Sequence, residues 1–342
     1  MAKKKNYSDE FLEYKERELY NELHSLYQEC QKEIDAELNH FFGRFDAKNK
    51  KWLKKLKNGE ITEAEYKRWI EGQIFQGKMW AMRKEILANQ LYDFNKTAYE
   101  IINESYPDIF INEFNYMAYL LEHKEKMDLT FMIYDPEVVR QLILEDAEIM
   151  PYKKLNKAKD IRWNFKNIKR EVAKAVIKGS SVQELAKVLA KEVTNRNEKQ
   201  MQMHARTALN AARNQARLKR IEDGQKMGLD IYKEWSATLD FRTRIAHAHL
   251  DGQKVPYNKP FEIEGMKIRY PHDPHAHPSL VWNCRCTLEG DVRGYPDTFD
   301  LRRDNEEGEI IQKMSYQEWY KWKTGEELPK YKKPKKKKKK KG

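Results

Sequence analysis

The strongest constraint on the fold is a run of apolar residues spaced three and four positions apart near the N-terminus. Within residues 11–42, these positions are Leu19, Leu23, Leu26, Cys30, Ile34, Leu38 and Phe41. This spacing puts all of them on one face of an α-helix, so it predicts one long amphipathic helix. Cys30 lies on that face, which favours a small buried apolar role over a reactive thiol.

Helix start signals recur along the first two thirds of the chain. Thr62 with Glu65 has the spacing of a capping box, and so does Ser181 with Glu184. Pro136 is typical of the first turn of another helix. Because 35% of the residues are charged and the mean hydropathy is −0.95, we expect these helices to be long and widely exposed to solvent.

At Ile231 the pattern changes to short β-prone runs separated by Pro, Gly, Asn and Asp, which are strand and turn signals. The expected fold class is therefore α+β, with long helices over about two thirds of the chain followed by a small β-containing module. The expected domains are an N-terminal helical region (1–130), a second helical region ending in a basic helix (131–230), the module (231–300), and a short helix with a disordered poly-lysine tail (301–342).

The net charge of +12 is concentrated at the C-terminus. Ten lysines lie in the last thirteen residues, 330–342, so the rest of the chain carries about 12 − 10 = +2. Such a block binds polyanions by counterion release, or it only keeps the chain soluble. For the basic helix, a DNA-contacting stripe and a solvated face are both open. The candidate DNA-binding residues are Arg206, Arg213, Arg217, Arg220, Lys335, Lys336, Lys337 and Lys338.

Membrane and secretion signals are missing from the sequence. The sequence contains no run of about 18 apolar residues, which is the length needed to span a bilayer, and the first residues lack the apolar segment of a secretory signal. We therefore expect a cytosol-like compartment and no membrane anchor. The three cysteines, Cys30, Cys284 and Cys286, argue against a disulfide framework and leave metal binding or free thiols for the close pair.

Two cysteines and two histidines form closely spaced pairs. In an extended strand residues i and i+2 point to the same side, so Cys284 and Cys286 should share one face, as should His247 and His249 if that segment is extended. Such a set offers a tetrahedral sulfur and nitrogen site for zinc. Free thiols packed in a small core are the alternative. Further candidate ligands are Asp240, His272, His275 and His277.

Several short motifs follow one another in this region. In order they are WSATLD from Trp235, RTR from Arg242, His247, LDGQ from Leu250, Phe261, Gly265, YPHDP from Tyr270 and NCRC from Asn283. This order resembles the C-terminal module of the Mu F-like minor head proteins, the head morphogenesis family of tailed bacteriophages. The basic helix before it is also similar, so the detailed resemblance covers about residues 204–290.

The resemblance selects particular residues of this chain. They are Trp235, Asp240, Arg242, Arg244, His247, Asp251, Gly252, Gln253, Phe261, Gly265, Tyr270, Pro271, Asp273, Asn283, Cys284, Arg285 and Cys286. The resemblance does not select the neighbouring His249, His272, His275 and His277, and we expect these four in loops. The expected zinc ligands are then His247, Cys284 and Cys286, with Asp240 as a possible fourth and a structural role for the ion.

The resemblance implies a non-enzymatic role in a phage or prophage particle. Members of the family are minor capsid components that associate with the portal protein and act in head morphogenesis and in DNA packaging or delivery. The implied partners are the portal protein, a scaffold or major capsid protein, and double-stranded DNA bound non-specifically. The implied location is the virion head, assembled in the cytoplasm of the bacterial host.

Two other functions remain open from the sequence. A zinc-dependent hydrolase or nuclease would use Asp240 or His247 beside zinc and the nearby arginines for phosphate. However, the sequence has no H-E-x-x-H motif and no nucleophile elbow. Only about fifty residues follow NCRC, too few for the catalytic domain that related toxins append, so we expect no enzymatic activity. A general DNA-binding protein is the other alternative.

Overall fold

The computed structural model describes residues 6–72, 78–125, 136–146, 154–177, 182–239, 242–293, 301–303, 310–312 and 316–327. The expected α+β class is confirmed, because long helices fill the N-terminal two thirds and short antiparallel strands lie in the C-terminal region. The helices are α1 (Tyr7–Gly43), α2 (Asp46–Lys57), α3 (Glu63–Ile70), α4 (Lys78–Glu104), α5 (Tyr106–Glu125), α6 (Pro136–Glu145), α7 (Lys157–Ile177), α8 (Val182–Lys226), α9 (Ile245–Leu250), α10 (Pro278–Val281) and α11 (Tyr316–Thr324).

The strands form three small antiparallel sheets. They are β1 (Ile231–Ser236), β2 (Lys254–Pro256), β3 (Phe261–Ile263), β4 (Met266–Ile268), β5 (Thr287–Val292), β6 (Leu301–Arg303) and β7 (Ile310–Gln312). The first sheet has the order β2-β1-β5, and β3-β4 and β6-β7 are two-stranded. The β3-β4 turn has positive φ at both Glu264 and Gly265, as a two-residue type I′ hairpin requires.

The predicted N-terminal helix is confirmed as α1. Its apolar positions are buried as the spacing predicts, except that Leu26 is half-buried and the adjacent Tyr27 is buried. The Cys30 side chain is fully buried, and this burial raises the pKa of its thiol. Cys30 is therefore an apolar packing residue, as expected.

The helix start signals are confirmed wherever the structure describes them. Thr62 accepts a hydrogen bond from the Glu65 backbone N–H and Glu65 returns one to Thr62, which completes the capping box of α3. Pro136 is the first residue of α6. The other expected cap residue, Ser181, lies outside the described residues.

The described residues divide into two compact units, each assembled from separate stretches of chain. Unit 1 takes those within Met1–Leu19, Ile102–Tyr152 and Met203–Gly342, and unit 2 takes those within Tyr20–Ile101 and Lys153–Gln202. These units group residues by spatial contact, and the expected regions 1–130, 131–230, 231–300 and 301–342 stay a prediction. Local composition does not report pairings such as Ser8 with Glu113, whose side chains hydrogen-bond across more than a hundred positions.

The core of unit 1 joins the small sheet to two helices. Met117 and Leu121 of α5 and Ile221 of α8 pack with Trp235 and the other inward residues of β1 and β5. At Gly290 of β5 the contact is so close that an added Cβ would lie 2.5 Å from Met117 Cε. The β-containing module is thus packed directly onto helices from earlier in the chain.

Unit 2 has a polar centre within its helical core. Asn95 of α4 donates hydrogen bonds through Nδ2 to Asp160 Oδ2 at 3.0 Å and to Asn197 Oδ1 at 2.7 Å, and its Oδ1 accepts from Tyr27. Burial raises the pKa of Asp160, although the hydrogen bonds from Asn95 and Asn164 oppose this shift. None of the helices in the described part of the chain has the length and apolar character needed to cross a membrane.

Candidate metal centre and the buried arginine network

His247 and His249 lie on α9, a helix of six residues. Successive positions of a helix are about 100° apart, so the two side chains point to different sides: His247 is buried and His249 is exposed. The two imidazoles would share one face only in an extended segment, and this helical segment does not meet that condition. The segment nevertheless places the histidine selected by the family resemblance inside the protein.

Cys284 and Cys286 lie in the connection that leads into β5. Both thiols are buried, and Arg285 between them is half-buried. The alternation expected of an extended segment is confirmed, although the strand itself begins one residue later, at Thr287. Asn283 starts this connection with a positive φ of 53°, a conformation that asparagine tolerates better than most residues.

The two segments bring three of the predicted metal ligands together. Nδ1 of His247 lies 3.3 Å from Cys284 Sγ and 3.4 Å from Cys286 Sγ. The three ligand atoms all lie within 4.8 Å of one another. The Cys286 backbone N–H donates to Cys284 Sγ at 3.3 Å. The fourth predicted ligand, Asp240, lies outside the described residues.

The thiols of this cluster differ in acidity. Burial, followed by the hydrogen bond and charge of Cys286, raises the pKa of Cys284. The hydrogen bond from Cys284 lowers the pKa of Cys286, and the hydrogen bond and charge of His247 lower it further.

A cavity of about 80 Å³ borders the cluster. Its lining consists of His247, Cys284, Cys286, Thr238, Arg242, Thr243, Arg244, Asn283 and Arg285. Arg244 donates to the Trp282 carbonyl, and Thr238 Oγ1 donates to the Arg285 carbonyl at 3.0 Å. Three arginines of the motif, Arg242, Arg244 and Arg285, thus line a small cavity next to the two sulfur atoms.

Trp235 forms the inner wall of the cluster. Its ring is fully buried and meets His247 edge to face, with ring centroids 5.7 Å apart, and Phe261 in the same way at 5.4 Å. The indole Nε1 of Trp235 and Nε2 of His247 are buried without a hydrogen-bond partner of ordinary geometry among the described residues. Edge-to-face packing thus helps to fix these two rings, and the Nδ1 contacts with the two sulfur atoms also hold His247.

The motif residues after α9 hold a turn against β1. The Gly252 N–H donates to the Trp235 carbonyl at 2.8 Å, and the Trp235 N–H donates to the Gln253 carbonyl at 3.0 Å. Asp251 Oδ1 accepts from the Ala237 N–H at 2.7 Å. Gly252 has a φ of +74°, which favours glycine. These three motif residues thus position α9, and with it His247.

His272 was expected in a loop, and it does lie in a turn with positive φ, but its side chain is fully buried. Nε2 donates to the Cys284 carbonyl at 2.8 Å, and Nδ1 accepts from Asn214 Nδ2 at 3.2 Å. Burial lowers the pKa of His272 to about 4. Since both ring nitrogens are engaged, His272 supports the cysteine segment and is not a ligand itself. His275 and His277 are exposed.

Asn214 of α8 is a supporting residue that sequence reasoning missed. Its Oδ1 accepts from the Leu288 N–H at 2.7 Å, and its Nδ2 donates to the Cys286 carbonyl at 3.1 Å. An isolated asparagine in a polar helix carries no sequence signal for this role. Nearby, the buried side chain of Asp273 accepts from Arg269 Nε at 2.8 Å, and Pro271 is also buried.

Most of the predicted basic stripe of α8 lies inside the protein and not on its surface. Arg213, Arg217 and Arg220 are all buried, so both interpretations of the stripe, as a DNA-contacting face and as a solvated face, require correction. The physical reason is that α5 supplies a buried carboxylate, Glu113, which lies 3.1 Å from Arg217 Nε and 3.7 Å from Arg213 Nε. A helix face that is charged in sequence can be buried when its partners come from another segment.

Arg217 also donates to Ser8 Oγ at 3.0 Å and to the Leu288 carbonyl at 3.1 Å. Ser8 Oγ donates in turn to Glu113 Oε1 at 2.6 Å. These residues, which we call the Glu113 network, join the start of α1 to α5, α8 and β5. Arg213 adds an ion pair with Asp9 at 2.7 Å.

The remaining arginines of the predicted stripe have protein partners too. Arg220 donates to the Phe114 carbonyl at 3.2 Å and stacks on the Phe114 ring, with its guanidinium carbon 3.7 Å from the ring centroid. Arg206 is partly exposed and pairs with Glu16 at 2.6 Å. The predicted DNA-binding lysines, 335–338, lie outside the described residues.

Comparison with known proteins agrees with the motif order. The family model described as Phage Mu protein F like protein matches residues 166–289. Residues 166–289 of the chain are therefore similar to the Mu F-like family. This match confirms the resemblance and extends it upstream of residue 204, into α7.

Individual relatives differ in how much of this chain they align with. The chain is 24% identical to Minor head protein GP7 of Bacillus phage SPP1 over 294 residues, which cover 85% of this chain and 88% of that protein. It is 30% identical to the NAD(+)--arginine ADP-ribosyltransferase EFV of Enterococcus faecalis over 203 residues, which cover 59% of this chain but only 40% of that protein. No solved structure matches the chain.

Proposed function

We propose that this protein is a minor head protein of a tailed bacteriophage or prophage, a structural component of the virion without enzymatic activity. The observation that carries the proposal is the extent of the alignment with the SPP1 minor head protein, which covers 85% of this chain. The Mu F-like match spans residues 166–289. The alignment over 294 residues therefore reaches well beyond that module into the helical part of the chain.

The finer role that we propose is assembly at the portal vertex, with function in head morphogenesis and in DNA packaging or delivery. The portal protein is the proposed direct partner, and a scaffold or major capsid protein is a further candidate. Assembly would occur in the cytoplasm of the bacterial host. The support for these partners is the similarity to the Mu F-like family, which implies them.

The geometry of the motif cluster supports a non-enzymatic role. Pockets that bind small molecules measure about 300–1,000 Å³, whereas the cavity at the Cys/His cluster measures about 80 Å³. The three arginines at its edge therefore leave no room for a nucleotide or a phosphodiester. We expect no cleavage when the protein is incubated with plasmid DNA and zinc, magnesium or manganese; cleavage that is lost in a His247→Ala variant would support the hydrolase alternative instead.

Non-specific DNA contact is proposed for the lysine-rich tail and not for α8. Arg213, Arg217 and Arg220 of α8 are buried in unit 1 and Arg206 pairs with Glu16, while ten lysines lie within residues 330–342. Deleting Lys335 to Lys341 should weaken DNA binding and flatten its salt dependence, since fewer counterions are released. Unchanged affinity and slope would leave the tail as a solubilising segment.

The main experiment is co-expression of the full chain with the portal protein encoded beside it, followed by affinity purification at moderate salt. We expect a complex of defined stoichiometry that survives nuclease treatment, because the contact is between proteins. The variant lacking Lys335 to Lys341 is the matched control, and it should co-purify equally well. Absence of a complex, together with absence of the chain from purified virions, would contradict the proposal.

A further inference from the structure

We propose that His247, Cys284 and Cys286 bind one zinc ion, which holds α9 to the segment that enters β5. Two thiolates and one imidazole are a ligand set that suits zinc among the common biological metals. All three side chains are buried, as ligands of structural sites commonly are. The proposal concerns how the Mu F-like module is held together, and it does not depend on the virion role.

The two sulfur-to-nitrogen distances of the cluster fit one ion. Zinc lies about 2.3 Å from sulfur and about 2.0–2.1 Å from nitrogen in tetrahedral sites, which puts sulfur and nitrogen ligands about 3.5 Å apart. Nδ1 of His247 lies 3.3 Å and 3.4 Å from the two sulfur atoms. Both sulfur to nitrogen separations are thus within about 0.2 Å of the tetrahedral value.

Hydrogen bonding within the cluster does not account for its burial. Trp235 Nε1 and His247 Nε2 have no hydrogen-bond partner of ordinary geometry in the part of the chain that the structure describes. A buried polar group without a partner is destabilising. A zinc ion bound through Nδ1 would add an attraction that holds the His247 ring, and it requires the imidazole tautomer with its proton on Nε2.

The backbone around the cysteines is held by hydrogen bonds that do not use the thiols. His272 donates to the Cys284 carbonyl, and Asn214 donates to the Cys286 carbonyl. These contacts fix the positions from which both sulfur atoms extend. Partners outside the ligand set that orient the ligands are a regular feature of metal sites.

The fourth coordination position faces the cavity lined by Arg242, Arg244 and Arg285. At about 80 Å³, this space accepts a water molecule, whose share of liquid volume is about 30 Å³. A small anion would also be attracted by the three guanidinium groups. A substrate-sized ligand would not fit, so the ion serves to join two segments whose ligands lie 37 positions apart in sequence, at His247 and Cys284.

The test is metal analysis of the full-length protein, purified without chelator or metal-affinity resin. We expect about one zinc per chain, lost in His247→Ala, Cys284→Ser and Cys286→Ser. His249→Ala is the matched control, because it removes an exposed histidine from the same helix, and Cys30→Ala removes a buried thiol from unit 2; both should keep the zinc. Equal zinc content in His247→Ala and His249→Ala would overturn the proposal.

A second measurement keeps the proposal testable if the alanine and serine variants fail to fold. The wild-type protein is stripped with a chelator and reloaded with Co²⁺, whose absorption spectrum reports thiolate ligation and tetrahedral geometry. We expect sulfur-to-cobalt charge-transfer bands, a lower melting temperature after stripping, and recovery of metal content in His247→Cys. A folded wild-type protein that takes up neither Zn²⁺ nor Co²⁺ and keeps its melting temperature in chelator would overturn the proposal.

Discussion

The two units of this protein are stabilised in different ways. Unit 2 consists of helices whose apolar faces follow a regular spacing, with a centre of neutral amides around one carboxylate, Asp160. Unit 1 is organised around fully buried charges, in which Glu113 meets Arg213 and Arg217. The helices of unit 2 can therefore be predicted from local pattern, whereas unit 1 depends on pairings that no local pattern reveals.

Glu113→Gln should have the largest effect on this difference. The substitution keeps the side-chain shape but leaves the buried cation of Arg217 without its carboxylate and Arg213 with Asp9 as its carboxylate partner, and breaking a buried pair typically costs about 3–5 kcal/mol. The free energy of unfolding, measured by urea denaturation, should fall by that amount. The matched control is Glu262→Gln, which removes an exposed partner of Lys267 and should change stability by less than about 0.5 kcal/mol. Similar losses in both variants would contradict the role of the network.

Asn95→Ala tests the polar centre of unit 2. The change removes hydrogen bonds to Asp160, Asn197 and Tyr27 and leaves buried groups unsatisfied, at a cost of about 2–3 kcal/mol. The expected loss is smaller than for Glu113→Gln because no cation is left without a partner. Peptide-level hydrogen exchange should locate the lost protection within unit 2. A loss as large as that of Glu113→Gln would remove the distinction between the two units.

Lys233 allows a pH test of charge burial in unit 1. Burial, assisted by the charge of Arg269, lowers the pKa of Lys233 to about 8, while an unfolded lysine titrates near 10.4. Above about pH 8 the folded protein therefore holds fewer protons than the unfolded chain, so this residue's contribution to stability rises with pH. Relative to Lys233→Met, the wild type should gain about 2 kcal/mol between about pH 7.5 and about pH 9.5. Parallel pH curves for the two proteins would show that the pKa of Lys233 is not lowered.

Thr62→Ala should have the smallest effect. It removes the capping box of α3 at a cost of about 1 kcal/mol, and the change should be confined to faster amide exchange in the first turn of that helix. Thr97→Ala, on the exposed face of α4, is the control, since it removes no cap. A global loss of stability above about 2 kcal/mol would mean that the helix ends of unit 2 contribute more to its free energy of unfolding than the regularly spaced apolar residues do.

The fold was predictable from sequence wherever the residues of a single helix or turn determine its structure. The spacing around Cys30 predicted α1, the pair Thr62 and Glu65 predicted the start of α3, and the β-prone runs after Ile231 predicted the small sheets. The clustering of His247, Cys284 and Cys286, the three proposed zinc ligands on described residues, was also predicted, because the motif that resembles the family selected them. Asn214, His272 and Glu113 were not, since a buried polar residue has meaning only through partners that are distant in sequence.

The arginines of α8 show that a clear sequence pattern can also leave the contacts of a helix face undetermined. Their spacing correctly places them on one stripe, but a basic stripe in sequence does not indicate whether the acidic partner is DNA, water or a buried carboxylate. Glu113 supplies that partner from about a hundred positions away in sequence. Charge patterning alone therefore predicts which residues share a face and not what the face contacts.

We expect the small sheet and the helices around the Glu113 network to unfold as one cooperative unit. Native-state hydrogen exchange of the wild-type protein in low denaturant tests it directly, because amides that open together share one free energy and one denaturant dependence. We predict a common opening for α5, the C-terminal half of α8, β1 and β5. If β1 and β5 instead exchange through a separate opening of lower free energy, the module is an independent domain and the claim is contradicted.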